Sequence, residues 1–148
     1  MIKRITWKQI FPIWKNDLWP NRQSPIEPNS AMNFLFGYDM ENMESVPTFF
    51  GYFVDKKIVG VNSGHRCSDN SYRSRGLWVY TDYRSQGIGQ LLLKATIDQA
   101  VHEKCSMIWS YPRFTSWPTY SRVGFNLASE WNPSETNSKN AFANFILQ

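Results

Sequence analysis

Apolar residues recur along the chain in two rhythms, one with the period of a helix and one that alternates. Thr6 stands where it can cap a helix over Trp7–Leu18, whose apolar stripe would be Ile10, Ile13, Trp14 and Leu18. Pro12 falls inside that stretch and must sit within the first turn or break it. Pro20, Pro25 and Pro28 then exclude regular structure from Trp19 to Asn29. Ser30 is placed to cap a second short helix ending near Phe36, and Gly37–Pro47 reads as a polar, acidic, solvated loop.

The middle of the chain is β-rich. Thr48–Val54 and Ile58–His65 read as two strands joined by a turn at residues 55–57, and Cys67–Ser71 as a polar turn. Ser74–Thr81 is a third strand, with Leu77 and Val79 on one face and Trp78 and Tyr80 on the other. After a connection over Asp82–Gln86, the spacing of Leu93, Ile97, Ala100 and Val101 predicts a long helix over Gly87–Glu103. Ser106–Tyr111 is the next strand, and a short helix over Ser116–Arg122 is stopped by Gly124. Phe125–Trp131 and Ala141–Leu147 are the last strands, separated by a polar loop over Asn132–Asn140.

A length of 148 residues suits one domain spanning 1–148. With 42% hydrophobic and 19% charged residues, disorder is excluded. Seven Trp exceed what a minimal core needs, so some are expected to line a pocket or an interface, a homodimer's included. The net charge of +4 comes without a block of Lys or Arg, which argues against nucleic acid; an anionic small molecule accounts equally well for the cluster Arg66, Arg73, Arg75 and Arg84. Two cysteines make no disulfide framework, and neither a signal-peptide core nor a membrane-spanning apolar run is present, so the expected setting is cytoplasmic. His65-x-Cys67 and His102-x-x-Cys105 offer zinc-ligand types, but the strand end and the helix end that carry them fall far apart in this layout; no metal is expected.

The stretch Leu77-Trp-Val-Tyr-Thr-Asp-Tyr-Arg84-Ser-Gln-Gly87-Ile-Gly89-Gln-Leu-Leu-Leu93 carries the chemistry. A strand ends, a loop with two glycines follows, and a helix begins; the free N–H groups of a first helical turn form an anion site, and Arg84 adds a full charge at its mouth. A Walker A loop is absent, and a dinucleotide fingerprint would need glycine where Leu92 stands.

Arg84-x-x-Gly87-x-Gly89, after Leu77-x-Val79 and before a Leu-rich helix, resembles motif A of the GNAT superfamily of N-acyltransferases, with Gln86 also at a signature position. Downstream, Tyr120-Ser-Arg-Val-Gly124-Phe125 resembles the family's Tyr-x-x-x-Gly-Phe element, and Gly51–Gly60 its central hairpin. The resemblance spans about residues 48–128. It implies an α/β fold: a mixed, mostly antiparallel twisted sheet of six or seven strands flanked by helices, splayed where Ser74–Thr81 lies beside Ser106–Tyr111. It also implies acetyl-CoA as cosubstrate. The pyrophosphate would lie on Ser85, Gln86, Gly87, Ile88, Gly89 and Gln90 beside Arg84, and the pantetheine arm would run along Leu77, Trp78 and Val79. Tyr120 matches the general acid that protonates the departing thiolate.

The family has no fixed base position. His65, at a strand end, and Glu27, in the Pro-rich loop, are the leading candidates, with Tyr80 or a water chain as alternatives. The acceptor is an amine, on a small molecule or a peptide, that no motif identifies. Two rivals stand beside the enzyme: a GNAT-like module that holds CoA without turnover, and a basic domain for nucleic acid. Tyr120 favours the enzyme over the first, and the scattered charge disfavours the second.

Overall fold

The computed structural model describes residues 1–133 and 139–147. In chain order the elements are β1 (Ile2–Ile5), α1 (Trp7–Ile13), β2 (Thr48–Val54), β3 (Lys57–Arg66), β4 (Ser71–Val79), α2 (Ile88–His102), β5 (Met107–Ser110), α3 (Trp117–Val123), β6 (Asn126–Leu127), β7 (Asn132–Pro133), β8 (Lys139–Asn140) and β9 (Ala143–Ile146). Seven strands form one sheet in the order β1-β2-β3-β4-β5-β9-β6. Every pairing in it is antiparallel except β4 with β5. The mixed, mostly antiparallel sheet of the sequence reading is therefore the sheet that forms.

Thr6 caps α1 through a capping box: its side chain accepts from the Gln9 N–H, and Gln9 answers to the Thr6 backbone. Pro12 has no N–H to return to the preceding turn, and the helix widens at Trp14–Leu18 into a π turn, closed by the Trp19 N–H on the Trp14 carbonyl at 2.7 Å. Ile10 and Trp14 are buried on one face of the sheet with Phe49 and Val61. On the other face α2 buries Leu92 and Leu93. There Asn62 of β3 donates to Ser74 of β4 and Thr96 of α2, each at 2.9 Å.

Five expectations change. β1 forms where no strand was expected; its four residues alternate too briefly to signal one, and the strand exists by pairing with β2. The helix expected over Ser30–Phe36 does not form. Leu35 and Phe36 take φ of 61° and 77°, Met32 bridges Tyr38, and the buried Asn42 amide donates to the Ala31 carbonyl and to Asn33 Oδ1. A 3-10 turn at Met40–Met43 interrupts the acidic loop. The strand expected over Phe125–Trp131 shrinks to β6, and the expected loop over Asn132–Asn140 carries the β7–β8 ladder at its ends, with 134–138 outside the described residues.

Candidate active site

β4 and β5 run parallel for only three register pairs, Ser71 with Met107, Tyr72 with Ile108 and Arg73 with Trp109. Just past the last pair, Ser110 Oγ donates to the Ser74 carbonyl at 2.8 Å, and then the strands part. The cause is local to Gly76. Its φ is +80°, the β3–β4 register slips between Val61 and Ser63, and a Cβ at that position would lie 2.4 Å from the Trp14 indole. Only glycine takes this backbone against that ring without strain. Trp14 Nε1 donates to the Gly76 carbonyl at 3.0 Å and holds the bulge. Beyond it, the Tyr80 N–H binds the Val59 carbonyl at 2.9 Å. Alternation along β4 therefore turns the backbone of Leu77 and Val79 to the open edge.

A cavity of about 780 Å³ fills the wedge. Leu77, Trp78 and Val79 form one wall, Ser110 and Tyr111 the other, and Tyr120 lines it from α3. At one end sits the start of α2. Ser85 and Gly87 take φ of 63° and 81°, a left-handed backbone that turns the chain sharply into the helix. The first backbone amide with a carbonyl partner there is Leu91, on Gly87. The N–H groups of residues 85–90 have none among the described residues, and Ser85, Gly87, Ile88, Gly89 and Gln90 all line the cavity. The two glycines serve differently. A Cβ on Gly87 would enter open space, whereas one on Gly89 would lie 3.1 Å from Thr119 Cγ2, so Gly89 lets α2 pack on α3. Arg84 also lines the cavity, its Nε donating to the Val79 carbonyl at 2.8 Å. Gln86 does not; its amide turns back to the Asp82 carbonyl.

Tyr120 is 3% exposed and packs edge-on to Phe125. Burial raises its pKa above the ordinary phenol value, against the pull of a hydrogen bond with Ser110 and the charges of Arg73 and Arg113. Burial thus favours the neutral phenol on the cavity wall.

Neither leading base candidate reaches this place. His65 is fully buried outside the cavity: its Nδ1 lies 3.0 Å from the Arg66 carbonyl, and its Nε2 accepts from the Ser30 N–H at 3.3 Å. Both ring nitrogens are engaged, and burial holds its pKa down to about 3, so it is a neutral structural histidine. Glu27 is exposed outside the wedge, and what it contributes is its backbone carbonyl, which accepts from Arg75 at 2.7 Å. The carboxylate that does line the cavity is Asp17, carried there by the π turn and 3.5 Å from the Tyr80 hydroxyl. No sequence signal marked it, because its position depends on that turn. Arg73 and Arg75 also line the cavity, whereas Arg66 is tied to Glu103 and Asn70 elsewhere; the Arg-x-Arg alternation in a strand was the available sign. Among the described residues no group of three or more His, Cys, Asp or Glu side chains is placed to hold a metal, and burial pushes the Cys67 thiol up to about 11. No helix among them is long and apolar enough to cross a membrane.

The model of the Acetyltransferase (GNAT) family matches residues 10–125. The chain belongs to the GNAT acetyltransferase family. Solved structures agree on the fold. An acetyltransferase of the GNAT family from Staphylococcus aureus superposes with a TM-score of 0.69 at 17% identity, over 100% of this chain and 99% of that one. The IAA acetyltransferase from Bacillus cereus gives 0.71 at 14%, and the ribosomal-protein-alanine N-acetyltransferase from Brucella melitensis 0.70 at 17%, each over 99% of both chains. No curated protein matches the sequence. As a GNAT N-acetyltransferase the chain is an enzyme of an acetyl-CoA-dependent family.

Proposed function

We propose that residues 1–148 act as one catalytic domain that moves an acetyl group from acetyl-CoA to a primary amine by direct attack. One observation carries the reading: the unpaired edge of β4, the free amides at the start of α2 and the Tyr120 hydroxyl all open into one cavity. The pyrophosphate rests on the amides of residues 85–90, with Arg84 adding charge. The pantetheine arm lies along Leu77, Trp78 and Val79 as an added strand, which satisfies the edge that β5 leaves open. A backbone N–H of that edge takes up negative charge on the thioester oxygen as the amine attacks. Tyr120 then gives its proton to the leaving thiolate. Asp17, on the cavity rim, receives the proton of the incoming ammonium, directly or through water.

The test joins binding to turnover. Acetyl-CoA raises the melting temperature of the parent protein, and Gly87→Ala weakens that shift, since it forces a left-handed φ on alanine and places a methyl group in the phosphate seat. A panel of amines, followed by thiol release, then finds the acceptor. Tight CoA binding with no thiol release from any amine would replace the enzyme with a CoA-holding module. An unchanged CoA affinity in folded Gly87→Ala would move the pyrophosphate off α2.

A further inference from the structure

The cavity continues through the wedge to the face of the sheet opposite α2, and there its character changes. Ser74 turns toward α2, so Arg73 and Arg75 on either side of it turn away, under α1 and the loop that follows. Arg73 is 9% exposed and Arg75 5%, and both line the cavity. The groups that hold them are neutral. Arg73 Nη1 donates to Ser30 Oγ at 2.9 Å, and its guanidinium lies over Trp109. Arg75 Nη1 donates to the carbonyls of Glu27 and Pro28, and its guanidinium lies over Trp14 and Trp19. Among the described residues no carboxylate bonds either guanidinium, and Arg73 Nε is buried without any partner.

Two adjacent buried cations with spare donors are costly to keep. Burial lowers Arg73 to about 10 and Arg75 to about 9; at Arg75 the charge of Arg73 adds to the effect, and the Glu27 carboxylate, too far to bond, only partly opposes it. Aromatic faces satisfy the carbon framework but not the five N–H donors that a guanidinium carries. A third arginine, Arg113, lines the same region and donates to the Leu18 carbonyl at 3.0 Å. Of the charged side chains on the described lining, five are arginine and the one acid is Asp17, which sits exposed at the rim. The arginine pair does not serve the phosphate seat, because α2 begins on the other face of the sheet and Arg84 already attends it.

Resting on the wedge as the thioester site, we infer that the acceptor is a compact amine bearing a carboxylate, and that Arg73 and Arg75 bind that carboxylate. The planar fork of a guanidinium matches the two oxygens of a carboxylate, and the bond is charge-assisted. The size follows from the cavity, since the same space must also take the pantetheine arm. The arginines seat the acid, leaving the amine free to face the thioester.

The experiment pairs each amino carboxylate with its carboxamide and with the aminoalkyl phosphonate of equal length, measuring kcat/KM by thiol release and CoA affinity by calorimetry. The parent enzyme should prefer the carboxylate to its amide at least about tenfold, the scale of one charge-assisted bond. Arg75→Gln and Arg73→Gln should each erase that preference through KM and leave CoA affinity within about twofold. Arg75→Lys keeps the charge without the fork and should restore part of it. Amine-free carboxylates should inhibit the parent competitively against the acceptor, a readout that needs no variant to fold. Equal use of acid and amide, preference for the phosphonate, or loss of CoA affinity in the glutamine variants would each overturn the assignment. If the parent fails to bind CoA, calorimetry shows it before any acceptor is added; the wedge reading then falls, and this inference with it.

Discussion

Gly76→Ala is a one-carbon change whose cost can be worked from the structure. The new Cβ would sit 2.4 Å from three atoms of the Trp14 indole, and Trp14 is fully buried among Trp7, Trp19 and Phe49. The ring cannot swing aside without disturbing those aromatics and its own hydrogen bond to the Gly76 carbonyl. Holding alanine at φ +80° costs about 1–2 kcal/mol, and overpacking the core adds about 1–3 kcal/mol. The expected destabilisation is thus about 2–5 kcal/mol, which for a chain of this size lowers Tm by roughly 5–15 °C. Calorimetric or circular-dichroism melts measure it. Trp14→Leu in the same background removes the ring that is struck, so the double variant should lose less than the sum of the singles. Because the bulge opens the β4 edge, acetyl-CoA should also stabilise Gly76→Ala less than the parent. A Tm within about 2 °C of the parent, with full CoA stabilisation, would refute the claim that Gly76 and Trp14 together set the wedge.

Tyr120→Phe keeps the ring and should lower kcat by about 10²–10⁴-fold with CoA affinity unchanged; a Phe variant at the parent rate would make Tyr120 a packing residue. Arg84→Ala should weaken CoA binding more at low ionic strength than at high, because the guanidinium is exposed; equal losses at both would indicate a structural role. The third concerns pH. His65 has a folded pKa near 3 against about 6.5 unfolded, so it favours folding fully above pH 6.5, and that contribution drains away as pH falls toward 3 while the unfolded chain takes up the proton. Between pH 7 and 5 the loss is about 2 kcal/mol, and folded His65→Gln should show a flatter pH profile of Tm; an unchanged profile would place the sensitivity elsewhere.

Most of the sheet and the glycine-bearing turn into α2 were legible, because their signals are local. Aromatic and β-branched residues mark Thr48–Val54, and Gly87 falls where the backbone takes a left-handed φ. The end of the cavity under α1 was not legible. Asp17 reaches the cavity through a π turn that no periodic pattern announces, and the Ser30–Phe36 helix loses to side-chain bonds from Asn42, some ten residues away in sequence. His65 looked like a base from its place at a strand end, but nothing local showed that Ser30 and Arg66 would occupy both its nitrogens. Gly76 carried no motif at all, although its effect on β4 governs the whole opening.

The stretch between Trp19 and Thr48 is tied down by a few buried amides. Asn29 holds the carbonyls of Asn42 and Ser45, and Asn42 spans from Ala31 to the Ser68 N–H. Apolar packing tolerates compensating swaps, but a polar knot of this kind holds or fails as a unit. Beyond that knot the same stretch reaches the sheet at Ser30, which meets both Arg73 and His65, and at Glu27 and Pro28, whose carbonyls accept from Arg75. A substitution in this loop is therefore felt in β3 and β4, through the guanidinium groups and the imidazole that its backbone and hydroxyl hold.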